Sequence, residues 1–271
     1  MISDLEILPV KDDPSRPKYR ECHPNLLKPP FRMAAIGSSA AGKSTWAMNL
    51  LRPCFYGGDD RRKIEPVFNK IVVFSPNFGM DSTTRHIKNL VDDQNIHMTY
   101  NDSIIDNLIE EQKRLGDNRN RVLIIADDIL ALGAGPLSKL FVASSYLRHV
   151  DCSILYLTQI YQGHYSLPPV VRNNLEGLVF FKNPSQKQIK ALVEDLSGTF
   201  GSPQNVKNLV DYATLEPFSF CFFDYKQLRV FKKHTEELYR KFNNDGSYGP
   251  EFKRPAGLDS KLSEKTENIV E

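Results

Sequence analysis

FRMAAIGSSAAGKSTWAMNL, residues 31–50, is the stretch on which the fold turns. It opens as a short apolar strand, passes through a glycine-framed loop and continues as a helix with an apolar face. Gly37, four further residues, then Gly42, Lys43 and Ser44 satisfy G-x-x-x-x-G-K-[ST], the phosphate-binding P-loop, with the strand before and helix after that the motif requires. Gly37, Ser38, Ser39, Ala40, Ala41 and Gly42 are small, so successive backbone N–H groups can turn inward and form an anion nest. The helix from Lys43 aims its unpaired N–H groups and the positive end of its dipole at the same point. The motif assigns Lys43 to the β- and γ-phosphates and the Ser44 hydroxyl to Mg²⁺, with Thr45 beside it.

Downstream, buried strands alternate with helices. NKIVVFS (69–75) reads as a strand halted at Pro76, and Ile96 to Tyr100 as a shorter one. Ile104 to Leu115 carries an apolar stripe at 104, 105, 108 and 109, the spacing of a helix lying on a sheet. VLIIADD (122–128) is an apolar strand, buried on both faces as the centre of a parallel sheet requires, that delivers Asp127 and Asp128 at its end. Leu137 to His149 reads as a helix, Cys152 to Thr158 as another buried strand ending at Gln159, and Pro168-Pro169 as a loop running to Arg172. Strand Leu178 to Lys182, a helix from Ser185 to about Leu196 and the hairpin SFCFFDYKQLRVFKK follow. The expected fold is therefore α/β: a mostly parallel central sheet flanked by helices, with an antiparallel hairpin at its C-terminal end.

In such a sheet the ligand crevice opens at the C-terminal ends of the strands, where the P-loop, Asp127, Asp128 and Gln159 all fall. Asp127 suits a metal-holding acid, Asp128 the acid that orients the attacking water, and Gln159 an amide reading the γ-phosphate or that water. Positive charge over the γ-phosphate could also come from an arginine, often a neighbouring subunit's, and Arg148 and Arg172 stand before and after the Gln159 strand. For either, a surface position or a salt bridge within the chain is the competing reading. Taken alone, an apolar run ending in Asp-Asp also suits a surface strand end; the P-loop upstream favours the metal-acid reading.

The remainder of the 271 residues sets the boundaries. Hydrophobic content of 41%, charged content of 25% and a formal charge of +2 fit a soluble globular chain and exclude a bulk polycation, though not a local basic channel. Prolines at 9, 14, 17, 24, 29 and 30 make residues 1–30 an extended arm, residues 31–243 the catalytic domain, and 244–271 a polar, mobile tail. Arg61, Arg62 and Lys63 read as a solvated charge run or a DNA contact. Cys22, Cys54, Cys152 and Cys221 form no C-x-x-C pair, so mostly buried thiols in a reducing compartment are expected. No stretch has membrane-spanning length and MISDLEILPVKDD is too acidic for a signal peptide, so an intracellular protein with no membrane partner is expected.

GSSAAGKST, IIADD, LRHVDCSILYLTQ and LPPVVRNN together resemble the HerA–FtsK superfamily of DNA-pumping P-loop ATPases, and most closely the poxvirus-type genome-packaging ATPases of large DNA viruses, virophages and Polintons. The resemblance covers roughly residues 30 to 235, and its diagnostic part is Arg-His, a short strand, then Gln. It implies a RecA/FtsK-like domain that binds ATP and Mg²⁺ and assembles as a homo-oligomeric ring of five or six. Such a ring threads double-stranded DNA into a capsid at a vertex or portal protein, inside an infected cell. By the same resemblance Lys43 and Ser44 hold phosphate and metal, Asp127 is the metal acid, Asp128 the catalytic acid, Gln159 the sensor and Arg148 the arginine acting in trans. Arg172 matches a family feature. The superfamily's usual Glu is one methylene longer than Asp128. Tyr161, His164 and Tyr165, just after Gln159, are candidates for a pore loop, with buried packing as the alternative for the aromatics. A small-molecule phosphotransferase and a non-catalytic nucleotide-dependent scaffold on the capsid are the other classes a P-loop permits.

Overall fold

The computed structural model describes residues 21–80, 88, 90–133, 135–253 and 255. Among the described residues nine strands form one sheet, in the order β3-β2-β4-β5-β1-β6-β7-β8-β9. The parallel part comprises β1 (Arg32–Ile36), β2 (Lys70–Phe74), β3 (Ile96–His97), β4 (Val122–Asp127), β5 (Cys152–Thr158) and β6 (Gly177–Phe181). β7 (Phe220–Asp224), β8 (Arg229–Lys232) and β9 (Glu236–Arg240) continue it antiparallel from β6.

The central strands read as unbroken apolar runs because both faces are covered. In β5, Ile154 and Tyr156 enter one core while Leu155 and Leu157 enter the other; in β1, Ala34 and Ile36 alternate in the same way with Met33 and Ala35. The first core lies under α2 (Asp102–Leu115), α3 (Ser138–Ser144), α5 (Gln186–Leu196) and α6 (Pro203–Ala213); the second lies under α1 (Lys43–Leu50) and the loop that follows it. A further short helix, α4 (Pro169–Arg172), sits between β5 and β6 in the chain. At about 1.5–3 kcal/mol for each fully buried aliphatic side chain, these two slabs are what hold the sheet. α2 buries Ile105, Leu108, Ile109 and Gln112, starts on an Asn101 side chain that accepts from Ser103 N–H, and stops at Gly116.

Several local expectations are corrected. The helix expected over Leu137–His149 is α3 plus a 3₁₀ turn at Leu147–Val150. Ser144 Oγ and Ser145 Oγ donate back to the Phe141 and Val142 carbonyls, both at 2.7 Å, which competes with the helical ladder where α3 ends. The strand over Ile96–Tyr100 is only two residues long. The C-terminal hairpin gains a third strand, β9, and α6 was not anticipated. Residues 1–20 of the arm, and 254 and 256–271 of the tail, lie outside the described residues. Where described, both segments are engaged: Leu26 and Leu27 are buried, and Phe252 N–H donates to Asn205 Oδ1 on α6 at 2.7 Å. Two of the four thiols, Cys152 and Cys221, are buried; Cys54 is exposed.

Candidate active site

Strand register assembles the site. Ile36 pairs with Thr158, and Asp127 with Leu157, so β1, β4 and β5 end in one row and release Gly37, Asp128 and Gln159 side by side. Gly37 N–H still bonds Thr158 O at 3.2 Å before the chain turns into the P-loop. Gly37 must be glycine for packing: a Cβ there would come within 2.6 Å of Phe181 Cβ. Gly42, just before α1, has φ +103°, and Ala40 has φ +59°; these left-handed residues turn the loop so that its amides face the helix N-terminus.

Lys43 is 6% exposed, and its Nζ donates to Gly37 O at 2.9 Å and Ser38 O at 3.0 Å. Burial lowers its pKa, and the charges of Asp128 and Asp127 partly oppose that. The ammonium is thus held inside the loop, within electrostatic reach of both acids at the end of β4, two strands away from β1. Asp127 accepts from Ser75 Oγ, at the end of β2, at 3.3 Å. Asp128 has φ +52°, a conformation aspartate tolerates better than most residues, and its N–H bonds Leu157 O at 3.1 Å. Gln159 Nε2 donates to Asp128 Oδ2 at 3.5 Å, joining the two side chains across the β4–β5 seam. Two hollows open at this edge, one beside the Asp128–Gln159 pair and one against the P-loop. One, about 370 Å³, is lined by Asp128, Gln159, Pro76 and Tyr165; the other, about 350 Å³, by Ser38, Ser39, Ala40, Ala41, Lys182 and Phe218.

The two arginines part company. Arg172 belongs to the structural reading: its NH1 donates to Leu167 O at 3.0 Å, its Nε is 3.5 Å from Asp195 Oδ2, and its guanidinium lies 5.4 Å from the Tyr161 ring centroid. Arg148 is exposed on the turn before β5, at the edge where the parallel strands begin. It was expected near the P-loop edge and is found a full strand length from it. Of the candidate pore residues, Tyr161 is buried, its hydroxyl donating to Asp195 at 3.0 Å, and burial raises its pKa. His164 and Tyr165 are exposed, their rings 4.7 Å apart. Gln188 of α5 clamps the base of this loop: its Oε1 accepts from Tyr161 N–H at 2.8 Å and Gln162 N–H at 2.9 Å. Nothing in the sequence reading drew attention to Gln188 or Phe218, since each reaches the site from a distant part of the chain.

A P-loop after β1, with Asp-Asp and Gln in register at the ends of β4 and β5, defines the class, a P-loop NTPase on a mostly parallel sheet. Residues 19–208 match the family described as the Poxvirus A32 protein, and the chain belongs to that family. Among solved structures, the DNA-packaging ATPase of Sulfolobus Turreted Icosahedral Virus is 16% identical, covers 76% of this chain and 98% of its own, and superposes with a TM-score of 0.52. The genome packaging NTPase of Sulfolobus turreted icosahedral virus 2, in complex with AMP, is 15% identical over the same shares, with a TM-score of 0.51. No curated protein matches the chain. No helix among the described residues is long and apolar enough to cross a membrane.

Proposed function

We propose that this chain is an ATPase whose hydrolysis drives double-stranded DNA into a viral capsid, working as a homo-oligomeric ring in the infected cell. The observation that carries the reading is the single row at the strand ends, where P-loop, Asp127-Asp128 and Gln159 open on one crevice in a member of the Poxvirus A32 family. The P-loop amides and Lys43 bind and orient the phosphates. Asp128 accepts the proton of the attacking water and holds it in line, while Gln159, already bonded to Asp128, reports the state of the γ-phosphate to the loop beyond it. Ser44 and Asp127, one hydroxyl and one carboxylate, fit Mg²⁺, which takes few protein ligands and completes its shell with phosphate oxygens and water. Bound there, it would neutralise charge developing on the phosphates.

Arg148 serves the next subunit. It lies a strand length from its own P-loop, and an exposed arginine there is available to a neighbour's γ-phosphate in a head-to-tail ring. The His164–Tyr165 tip supplies contacts to DNA phosphates that are independent of sequence and weaken with salt.

Steady-state ATP hydrolysis at low salt, with and without long double-stranded DNA, tests this. DNA should stimulate turnover, Lys43→Ala and Asp128→Asn should abolish it, and raising salt should remove the stimulation first. Hydrolysis that ignores DNA and stays linear in enzyme concentration down to the lowest dilution would instead favour a small-molecule phosphotransferase.

A further inference from the structure

On the far side of α1 from the Asp pair lies a third hollow of about 300 Å³, lined by Thr45, Asn49, Trp46, Phe55, His234 and Phe218. Gly42 and Thr45 belong to the P-loop, so this hollow borders the phosphate site, and half of its lining residues are aromatic. His234 is 8% exposed, stacks on Trp46 with ring centroids 6.2 Å apart and accepts the Trp46 indole N–H at 3.1 Å. Burial pushes its pKa down to about 3. The cavity floor is therefore a neutral, rigid aromatic surface of the kind small-molecule sites use.

Phe218 is the unexplained residue. It is 72% exposed, yet it occupies the third position of a turn, Glu216–Ser219, closed by Ser219 N–H on Glu216 O at 3.2 Å. Its φ is +58°, a conformation that glycine or asparagine normally supplies and that strains a bulky side chain. The turn is tied down, with Glu216 bonded by Lys232 at 2.8 Å and Lys233 at 3.4 Å. The ring stands over the start of α1, 3.3 Å from where a Cβ on Gly42 would lie. A strained, exposed aromatic fixed beside a phosphate loop, at the mouth of an aromatic cavity, contributes little to the core. Strain of this kind accumulates where a ligand is gripped.

We propose that Phe218 is the stacking platform for the nucleobase of the bound nucleoside triphosphate, with the Trp46–His234 hollow receiving the base. This rests on the P-loop reading above and adds a base subsite built by the antiparallel extension of the sheet. In this arrangement the α-phosphate end of the nucleotide lies at Thr45, and from there the ribose and base run past the start of α1 to the open face of the Phe218 ring on the side of the hollow. Stacking of this type tolerates different bases because every base offers a π-face.

Isothermal titration with ATP and, separately, with inorganic triphosphate in the presence of Mg²⁺ tests the proposal on wild type, Phe218→Gly, Phe218→Tyr and Lys43→Ala. Phe218→Gly should weaken ATP about ten- to a hundredfold, leave triphosphate unchanged and leave thermal stability equal or higher, because glycine relieves the turn. Phe218→Tyr should retain wild-type affinity. Trp46, the single tryptophan in the chain, should change its emission on adding ATP and not on adding triphosphate. Equal losses for ATP and triphosphate in Phe218→Gly, or no loss for either, overturn the base subsite while the Lys43→Ala loss of triphosphate leaves the P-loop standing. Wild type that binds neither ligand overturns both.

Discussion

Arg148→Ala should abolish DNA-stimulated hydrolysis, and mixing it with a P-loop mutant should bring part of that hydrolysis back. β5 has seven residues between the Arg148 turn and the P-loop edge, roughly 20 Å of strand, so no side-chain rotation brings the guanidinium to its own site. An arginine over the γ-phosphate is worth about a thousandfold or more in turnover. In a ring built at random from equal parts Arg148→Ala and Lys43→Ala, a competent site needs an intact P-loop followed by an intact arginine. About one quarter of interfaces meet that condition in a head-to-tail assembly, so turnover should reach roughly a quarter of wild type from two inactive parents. The assay is steady-state phosphate release at fixed total protein across mixing ratios, with light scattering to verify that each variant still assembles. The expected curve is an arch, highest at equal ratio. A flat line at the parental level with intact rings, or an Arg148→Ala protein within tenfold of wild type, would refute the trans role.

Arg172→Ala, by contrast, should lower stability by about 1–3 kcal/mol through the lost contacts to Asp195 and Leu167, and should give no arch when mixed with Lys43→Ala; complementation would move it into the catalytic set. Gln112 is fully buried, donates to Asn120 O at 2.7 Å and Val150 O at 2.8 Å, and accepts from Asn120 N–H at 3.1 Å. Gln112→Leu strands those groups and should cost about 2–4 kcal/mol in urea unfolding at unchanged slope, with a loss below 1 kcal/mol counting against the account. His234 has a folded pKa depressed to about 3, so the unfolded chain takes up its proton first as pH falls. Stability from this group is complete above about pH 6.5 and declines from there toward pH 3. His234→Gln should flatten that part of the profile, and an unchanged profile would assign the acid sensitivity elsewhere.

How far the sequence could carry these conclusions depended on whether each signal was local. The P-loop, the Asp-Asp strand end and Gln159 were legible because each depends on one strand running into one turn, and a parallel sheet automatically gathers such ends at one edge. α6 was legible too and passed unread: Ser202 caps it, accepting from Asn205 N–H, Pro203 begins it, and Val206, Leu209, Val210 and Ala213 keep helical spacing. β9 offers less, since only Tyr239 of Glu236–Arg240 is buried and an edge strand needs no alternation. Strand order was not legible, because β1 lies between β5 and β6 through pairings across more than a hundred residues. Arg148 was misplaced for the same reason. Its helix was read as delivering it near the crevice, whereas a crossover must return the chain to the opposite edge before a parallel strand can begin.

Left-handed residues stand at both edges, Asp128 where β4 ends and Asp151 just before β5 begins. Ala40, Asp128 and Phe218 are non-glycine residues with φ near +55°, and all three border the two hollows at the P-loop edge. Each conformation costs energy that a rigid surround must offset, here the buried ends of β1 and β4 and the Glu216 anchors. At Asp128 the left-handed turn lets the chain leave β4 while its carboxylate stays within reach of Gln159. At Phe218 it holds an aromatic ring over α1. The opposite edge shows another economy: Gln112 and Arg119 fasten the turn carrying Arg148 by its carbonyls at Val150 and His149, leaving the arginine exposed. One edge gathers the P-loop, Asp128 and Gln159, and the other is braced so that Arg148 is left exposed, which is the arrangement the proposed trans role needs.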